Sequence, residues 1–407
     1  MARTAVVWTI LLVAGCAASR EPRAERRAIP ARWVAETDGF DPDWADFMFD
    51  ALAFSTPTDG WIVGDRFLLH LVDGGMTVTF MKPTRIVLVG LDFAAPNDGW
   101  AWGFTRTPRG PVGVFRRYRN AGWEPIDATG IDWPAWFVTM VQSAPSGEVW
   151  AAISTAAEHE PAASPETQPR HALLRRQADR WEIDPTVQAM GPGWAFSDAC
   201  FGAGDEGWFV GADLAASGGR RPLAVRRLRG AWEQAGLPQM ASPRATLERV
   251  ACLPDGRAFA IGTVGGDRDH RGHPVLLRYD GAWHEVPLPD AFLEASVGAL
   301  AAVSDTEVWL AVSEVDTTRP PRAAFLHWVA GEWSVVPPPA LPEGRVGGYV
   351  LTDLQFVSAS EGWATANDYD GPGIVRGLIF HYRDGVWRNR NWSWHLWDMP
   401  GFGMFGD

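Results

Sequence analysis

The chain has 407 residues, a formal net charge of −13 and a pI near 5.2. An acidic chain of this kind lacks the basic footprint that nucleic-acid binding requires, so the composition excludes nucleic acid as a partner. Its 23 tryptophans recur along the chain at similar intervals, which indicates a repeat architecture.

The first segment reads as a removable export signal. A short basic start, Met1–Arg3, precedes the apolar stretch Ala5–Ala14, which is too short to span a bilayer. The sequence Val13-Ala14-Gly15-Cys16 resembles the lipobox of bacterial lipoproteins. That resemblance implies cleavage before Cys16 and a lipid on this cysteine, and the non-acidic Ala17 implies the outer membrane. An ordinary secretory signal with a chance cysteine is the alternative.

Two short segments lead into the repeats. Residues 16–32 are charged and poor in large apolar groups, which predicts a flexible tether. The acidic and aromatic segment Trp33–Phe49 merges into the first strand. Its earlier half either forms a lid over one face or packs on the outside of the folded domain, and we favour packing because aromatic residues near termini usually bury.

The stretch Phe54–Gly64 recurs along the chain, most clearly at Phe93–Gly103, Phe201–Gly211 and Phe356–Ala366. Its tryptophan, or a substitute, marks seven copies: Trp61, Trp100, Trp150, Trp208, Phe259, Trp309 and Trp363. A second marker follows in each copy: Met76 as a substitute, then Trp123, Trp181, Trp232, Trp283, Trp333 and Trp387. Both halves of the repeat are therefore present in all seven copies.

Each copy is predicted to form four short strands. In the last copy these are Val350–Phe356, Gly362–Ala366, Gly377–Tyr382 and Val386–Arg390. The runs are rich in Val, Ile, Phe and Trp, and Asp-Gly pairs supply the positive-φ residues of tight hairpins. The prediction is an all-β, seven-bladed propeller of four-stranded antiparallel blades over residues 33–390. Eight blades would result if the termini formed an extra sheet.

Cys200 and Cys252 are predicted to form a disulfide, since export places them in an oxidising compartment. Cys200 precedes its marker Trp208 by eight residues, whereas Cys252 precedes its marker Phe259 by seven. Side chains alternate along a strand, so the two cysteines point to opposite sides of their own blades and can meet between blades 4 and 5. Two buried free thiols are the alternative.

Recognised catalytic and cofactor motifs are not found in the sequence, so we predict no cofactor and no catalytic residue. Two loops carry possible metal ligands, 267–273 (DRDHRGH) and 367–371 (NDYDG). Each lacks its remaining ligands in sequence. We interpret both as solvated loops and predict no metal.

The pattern F-x-x-x-x-x-G-W-x-V-G, followed by L-L-H/R-Y-x-D-G-x-W, resembles the repeat of sialidase-like propellers, especially the photosystem-II assembly-factor type. It is more loosely similar to Asp-box and kelch repeats. Sialidases need an arginine triad and a tyrosine nucleophile, but Tyr118, Tyr279 and Tyr382 share one repeat position, which makes them structural. The assembly-factor resemblance implies a non-enzymatic role in binding a partner.

Loop lengths indicate where such a partner binds. The long and variable connections join strands two and three of a blade, and one blade to the next, and both sets fall on one face of a propeller. Four aromatic residues at or before the first strands are candidate binding residues there: Trp133, Trp136, Trp194 and Tyr349. They suit a sugar or a peptide strand, or alternatively pack against one another and plug the channel.

Two functions remain open. The first is a monomeric, lipid-anchored envelope scaffold that binds a protein or polysaccharide. The second is a glycoside-active enzyme, sialidase-like or lyase-like, which a cluster of buried carboxylates at the channel mouth would favour. The tail, residues 391–407, holds Trp392, Trp394, Trp397, Phe402 and Phe405. We expect it to fold back with Trp33 and Val34 and seal the ring between the first and last blades, or else to be a docking peptide.

Overall fold

A computed structural model gives the fold. It describes residues 32–34, 48–64, 67–73, 75–80, 86–131, 133, 135–155, 170–177, 179–216, 219–242, 244–265, 272–316, 319–339, 348–369 and 375–390. The predicted signal segment, Cys16 and the tail 391–407 lie outside these residues and stay predictions. Within the described ranges, no helix combines the length and apolar character needed to cross a bilayer.

The chain forms seven antiparallel sheets of four consecutive strands, and the first carries one additional strand. Blade 1 holds β2 (Ala51–Thr56), β3 (Asp59–Gly64), β4 (Phe67–Val72) and β5 (Gly75–Phe80). Blade 2 holds β6 (Ile86–Ala95), β7 (Asp98–Thr107), β8 (Gly110–Arg119) and β9 (Gly122–Ile126). Blade 3 holds β10 (Trp136–Ser143), β11 (Val149–Thr155), β12 (His171–Gln177) and β13 (Arg180–Ile183).

Blade 4 holds β14 (Trp194–Phe201), β15 (Gly207–Asp213), β16 (Arg221–Leu228) and β17 (Ala231–Gln234). Blade 5 holds β18 (Ala245–Cys252), β19 (Ala258–Val264), β20 (His273–Tyr279) and β21 (Trp283–Val286). Blade 6 holds β22 (Ser296–Ser304), β23 (Glu307–Asp316), β24 (Arg319–Val329) and β25 (Glu332–Val336). Blade 7 holds β26 (Tyr349–Ser358), β27 (Glu361–Tyr369), β28 (Val375–Arg383) and β29 (Val386–Asn389).

The first strand of every blade contacts the first strands of both neighbouring blades, including β2 with β26. These strands therefore form a closed inner ring, and the predicted seven-bladed propeller is confirmed. A short helix, α1 (Pro185–Met190), lies between blades 3 and 4. Two single 3-10 turns complete the described secondary structure, at Ala203–Asp205 and Asp290–Phe292.

The core consists of seven separate apolar clusters, one in each gap between neighbouring blades. The first marker of each repeat lies in the gap to the next blade. In five of these gaps, the second marker of the next blade packs on the first marker. Trp150 of blade 3, for example, meets Trp232 of blade 4 with ring centroids 5.2 Å apart. The marker aromatics are therefore inter-blade core, as the repeat positions predict.

The short strand β1 (Arg32–Val34) pairs in parallel with β5 at the outer edge of blade 1. Trp33 and Val34 therefore lie on the rim of this blade and not at the seam between blades 7 and 1, which corrects their predicted part in sealing the ring. The strand joins an existing sheet, so the described residues form no eighth blade. This position agrees with the interpretation that the start of the segment packs on the outside.

The seam between blades 7 and 1 is closed by side chains of blade 7 that bind the backbone of blade 1. Asn367 accepts from Phe49 N at 2.8 Å and donates to Phe49 O at 3.1 Å. Gln355 likewise accepts from Phe54 N at 2.6 Å and donates to Phe54 O at 3.1 Å. Among the described strands, none is exchanged between the two blades. The ring is thus closed by amide side chains and by the apolar cluster around Trp363.

Candidate functional site

The ring has two unlike faces. In a four-stranded meander, the turns that join strands one to two and three to four lie on one face, which we call the turn face. The loops that join strands two to three, and one blade to the next, lie on the other, which we call the loop face. Positive-φ residues such as Asp384 and Gly385, at 52° and 81°, tighten the turns of the turn face.

On the turn face, one arrangement of side chains recurs in six blades. A histidine or arginine of the third strand lies on the marker tryptophan and pairs with an acidic residue two positions before that tryptophan. The sets are His70 with Asp59, Arg117 with Asp98, Arg175 with Glu148, Arg226 with Glu206, His327 with Glu307 and His381 with Glu361.

The histidines of these sets stack closely on their tryptophans. The ring centroids of His327 and Trp309 are 3.8 Å apart, and those of His381 and Trp363 are 4.0 Å apart. Burial lowers the pKa of His381, against the opposing effect of its hydrogen bond to Glu361. The tyrosines excluded as nucleophiles also lie here: Tyr118 packs on Trp61 at 4.9 Å and Tyr279 on Trp208 at 4.6 Å. These charged and aromatic groups hold neighbouring blades together.

Blade 5 departs from the arrangement. Phe259 replaces the tryptophan, and Arg257 stands where the other blades have an acid. Arg257 pairs instead with Asp255 and with Asp305 of blade 6, to which Arg278 also lies close at 4.0 Å. Through Asp305, these ion pairs connect blade 5 to blade 6, so this cluster is structural as well.

The first strands carry partly buried carboxylates beside the central channel. A β-bulge interrupts β14 before Asp198 and β26 before Asp353. Each carboxylate accepts a hydrogen bond from the next blade, from Val250 N and Leu52 N respectively, both at 2.8 Å. Asp92 of β6 likewise accepts from Ser143 N and Gln142 Nε2, both at 2.8 Å.

Loss of solvation raises the pKa of both Asp92 and Asp198 to about 6 and raises that of Asp353. For Asp198 the positive charge of Arg249 opposes this rise. These carboxylates connect successive blades, and within the described residues no group of three or more His, Cys, Asp or Glu side chains is placed to hold a metal.

Trp136 and Tyr349, two of the predicted binding aromatics, lie between blades and not around the channel. Trp136 is 2 % exposed, and its ring lies against Gly113 of blade 2, where a side chain would collide with it. Tyr349 is 7 % exposed and donates to Pro339 O at 3.0 Å. Burial raises its pKa. Their burial does not fit an open aromatic ring, because side chains at the start of a first strand point toward the neighbouring blade.

The other two candidates differ from each other in exposure. Trp133 is partly exposed and packs against the cluster between blades 2 and 3. Trp194 is 6 % exposed and packs on Gly191 and Phe196, yet the edge of its ring belongs to the wall of a groove on blade 4. The structure therefore does not bring the four aromatics together at one site.

The groove on blade 4 has a volume of about 970 Å³ and opens on the loop face. The described residues that surround it come from three parts of the chain: 190–194 at the start of β14, 213–216 with 221–222 at the facing ends of β15 and β16, and 234–242 from the end of β17 onward. Asp184 caps the helix α1, accepting from Thr186 N and Val187 N at 3.0 and 2.9 Å, and the helix ends at the groove with Met190. The groove is thus made by the loops that the sequence predicts to be variable.

A second and more apolar cleft, of about 660 Å³, lies on the loop face between blades 2 and 3. Its wall includes Val89, at the bulge of β6, together with Phe104 and Phe137, whose rings meet edge to face at 5.3 Å. Both openings lie where the second strand of a blade ends and where the first and third strands of a blade begin. The groove and the cleft, both large enough for a ligand, therefore lie on the loop face.

The remaining predicted sites are placed as follows. Cys200 and Cys252 form a disulfide across the gap between blades 4 and 5, with Cα atoms 5.4 Å apart. Cys200 pairs with Trp208 in the sheet, whereas Cys252 pairs with Ala258 and not with Phe259, so the one-residue offset is present. Of the possible metal loops, 266–271 and 370–374 lie outside the described residues. Asn367 uses its amide on Phe49, and His273 Nδ1 lies 2.8 Å from Leu293 O.

No family model and no curated protein matches the chain. Solved structures do resemble it in fold. YCF48 from Cyanidioschyzon merolae is 13 % identical, with a TM-score of 0.49 over 83 % of this chain and 96 % of that chain. The β-propeller domain of the Trilobed protease from Pyrococcus furiosus, described as having an open velcro topology, is 9 % identical, with a TM-score of 0.48 over 84 % and 98 %.

A Hadza microbial sialidase, Hz136, is 12 % identical, with a TM-score of 0.41 over 69 % of this chain and 66 % of that chain. The structures that resemble the chain also include a polysaccharide lyase and a puromycin hydrolase. Proteins of such different activity share this architecture, so the likeness describes the fold alone.

Proposed function

We propose that this chain is a lipid-anchored envelope protein that binds a protein or polysaccharide partner on its loop face, with the groove on blade 4 as the main contact. The observation that supports this most is the difference between the turn face and the loop face. The aromatic and charged residues of the turn face are engaged between blades, whereas the groove is lined by exposed side chains such as Met190 and Gln239. Exposed apolar side chains in a concavity are typical of binding surfaces.

The anchor is part of the proposal. Lipid on Cys16 and the tether that follows it would hold the propeller at a membrane surface of the envelope, with the outer membrane favoured by Ala17. Mass spectrometry of the N-terminal peptide of the mature protein tests this. We expect a peptide that begins at a lipid-modified Cys16, and an unmodified cysteine or a different cleavage site would refute the anchor.

The glycoside-active alternative requires carboxylates that are free to reach a substrate. Asp92, Asp198 and Asp353 are partly buried carboxylates of the first strands, and each accepts a hydrogen bond from the backbone of the next blade. Attack by one of these carboxylates on a substrate would break a contact that connects blades. We therefore favour binding over catalysis as the function.

Capture of a partner from solubilised envelope by the intact protein tests the proposal. The variant Met190→Glu places a charge in the groove, where Met190 is 40 % exposed, and we expect it to abolish capture. Val386→Glu is the matched control, since Val386 is 48 % exposed on the turn face. Equal capture by both variants and the natural protein would refute the groove as the binding site.

A further inference from the structure

Three arginines lie at the edge of the groove, which we call its rim, although the chain carries a net charge of −13. Arg221 belongs to the groove wall, whereas Arg220 and Arg244 adjoin wall segments in the sequence. Arg220 and Arg221 lie at the start of β16, and Arg244 lies just before β18. All three are exposed. Arg220 O accepts from Ala245 N at 3.1 Å, which holds the two segments side by side. The aliphatic part of Arg244 lies over Gly219, whose φ of 117° suits glycine.

One acidic residue, Asp213, belongs to the groove wall. It accepts from Arg221 Nη2 at 3.4 Å and from Ala215 N at 3.1 Å. Its carboxylate is therefore bound within the β15–β16 hairpin that lines the groove. Arg220 and Arg244 form no ion pair with any residue in the part of the chain that the structure describes. Three arginines against one aspartate leave the rim with a local positive charge.

Part of the groove lining is apolar, and we call this part the floor. Met190, Leu237, Pro238 and Met240 line it, and none carries a charge. Thioether and aliphatic side chains of this kind adapt to apolar side chains of a partner. The only aromatic side chain of the groove wall, Trp194, is 6 % exposed and offers no open ring face.

We propose that the groove binds an extended acidic segment of a protein partner. Carboxylates of the segment pair with Arg220, Arg221 and Arg244, and an apolar side chain between them enters the floor beside Met190 and Met240. This inference rests on the proposed function and specifies its partner. A peptide is favoured over an acidic polysaccharide because sugar rings need exposed aromatic faces to stack on, whereas the floor suits aliphatic side chains.

The test is selection of displayed random 12-residue peptides on the intact protein. We expect the selected peptides to be enriched in Asp and Glu with interspersed apolar residues. The triple variant Arg220→Gln, Arg221→Gln, Arg244→Gln should bind them at least about tenfold more weakly, and raised salt should weaken their binding to the natural protein.

The matched control is Arg119→Gln, Arg229→Gln, Arg383→Gln, which removes the same charge from turns on the opposite face. Arg229 belongs to the same blade as the groove. This control should bind the selected peptides as the natural protein does. Unchanged thermal unfolding of both triple variants verifies that they fold.

Three results would overturn the inference: no enriched peptide, enriched peptides without acidic residues, or equal loss in both triple variants. Binding of polygalacturonate, sensitive to the groove arginines, in the absence of any acidic peptide would assign the site to a polysaccharide instead. If Met190→Glu abolishes partner capture but the groove arginine variant does not, the proposed function stands and the acidic partner is wrong. If neither change affects capture, both proposals fail.

Discussion

The two faces of this propeller use the same residue types for opposite purposes. On the turn face, arginines such as Arg117 and Arg226 lie on tryptophans and pair with acids of their own blade, so their charges are satisfied within the ring. On the loop face, Arg220 and Arg244 point to solvent beside a groove. The charges at the repeat positions are thus used inside the ring, whereas the exposed arginines of the loop face are those that we propose bind a partner.

The largest expected effect is on the turn face, at a marker tryptophan. Trp309 is 2 % exposed and contacts His327, Phe356 and Tyr382. Trp309→Ala should lower the free energy of unfolding by ~3–5 kcal/mol, because it leaves a cavity between blades 6 and 7. Denaturant unfolding monitored by circular dichroism measures this.

Two control variants sharpen that result. Trp309→Phe should be milder, because blade 5 carries Phe259 at the equivalent position. Met190→Ala on the loop face should change stability by less than ~0.5 kcal/mol, since exposed side chains rarely contribute more. If the loop-face change cost as much as Trp309→Ala, the division between the faces would be mistaken.

The next effect concerns the bond between Cys200 and Cys252, which are separated by 52 residues in sequence. Replacing both by serine should cost ~2–4 kcal/mol, because the crosslink restricts the unfolded chain. Thiol labelling after unfolding, with and without reductant, determines whether the bond forms in the purified protein. Equal labelling in both conditions would show that the cysteines are free.

A smaller effect is expected at the seam between blades 7 and 1. Asn367 is 4 % exposed, and Asn367→Ala leaves the N–H and C=O of Phe49 without these partners. Unsatisfied buried groups cost ~1–3 kcal/mol, so thermal unfolding should shift downward. Gln239→Ala, which removes an exposed amide from the loop face, serves as control and should have no effect.

The smallest effect is a dependence on pH at Asp198. Burial raises the pKa of this carboxyl from 3.8 to about 6 in the folded protein, so the folded state binds its proton more tightly than the unfolded chain does. The resulting stabilisation is complete below 3.8 and is lost as the pH rises through about 6.

Asp198→Asn tests this, because the amide oxygen can still accept from Val250 N without titrating. The melting temperature of the natural protein relative to this variant should rise as the pH is lowered from 7 to 4. A constant difference at Asp198 would mean that the carboxyl titrates normally.

How far the sequence could predict these features depends on whether a contact is repeated. The marker tryptophans recur in register, so they predicted seven blades, and the offset between Cys200 and Cys252 follows from strand alternation alone. Asn367 was interpreted as part of a solvated loop, because its partner Phe49 lies 318 residues away in the chain. No repeat signals a contact that occurs once.

The binding site was harder to predict for the same reason. Trp136 and Tyr349 were chosen for their place at the start of a strand, yet the surroundings of a side chain at that place depend on other strands: Gly113 of blade 2 for Trp136, and Phe380 of the same blade for Tyr349. The arginines at the groove rim were missed. Their signal was a local excess of positive charge in loops of an acidic chain.

Because the strands that the structure describes show no exchange at the seam, these strands form a circle that has been cut at one point. Phe49 begins blade 1 and Asn389 ends blade 7, and the loop face bears both. The connection between blades 6 and 7 runs from β25, which ends at Val336, to β26, which begins at Tyr349. A linker as long as this connection could join the end of blade 7 to the start of blade 1. If the chain were then opened between Val336 and Tyr349, the circular permutant would keep the four consecutive strands of every blade together.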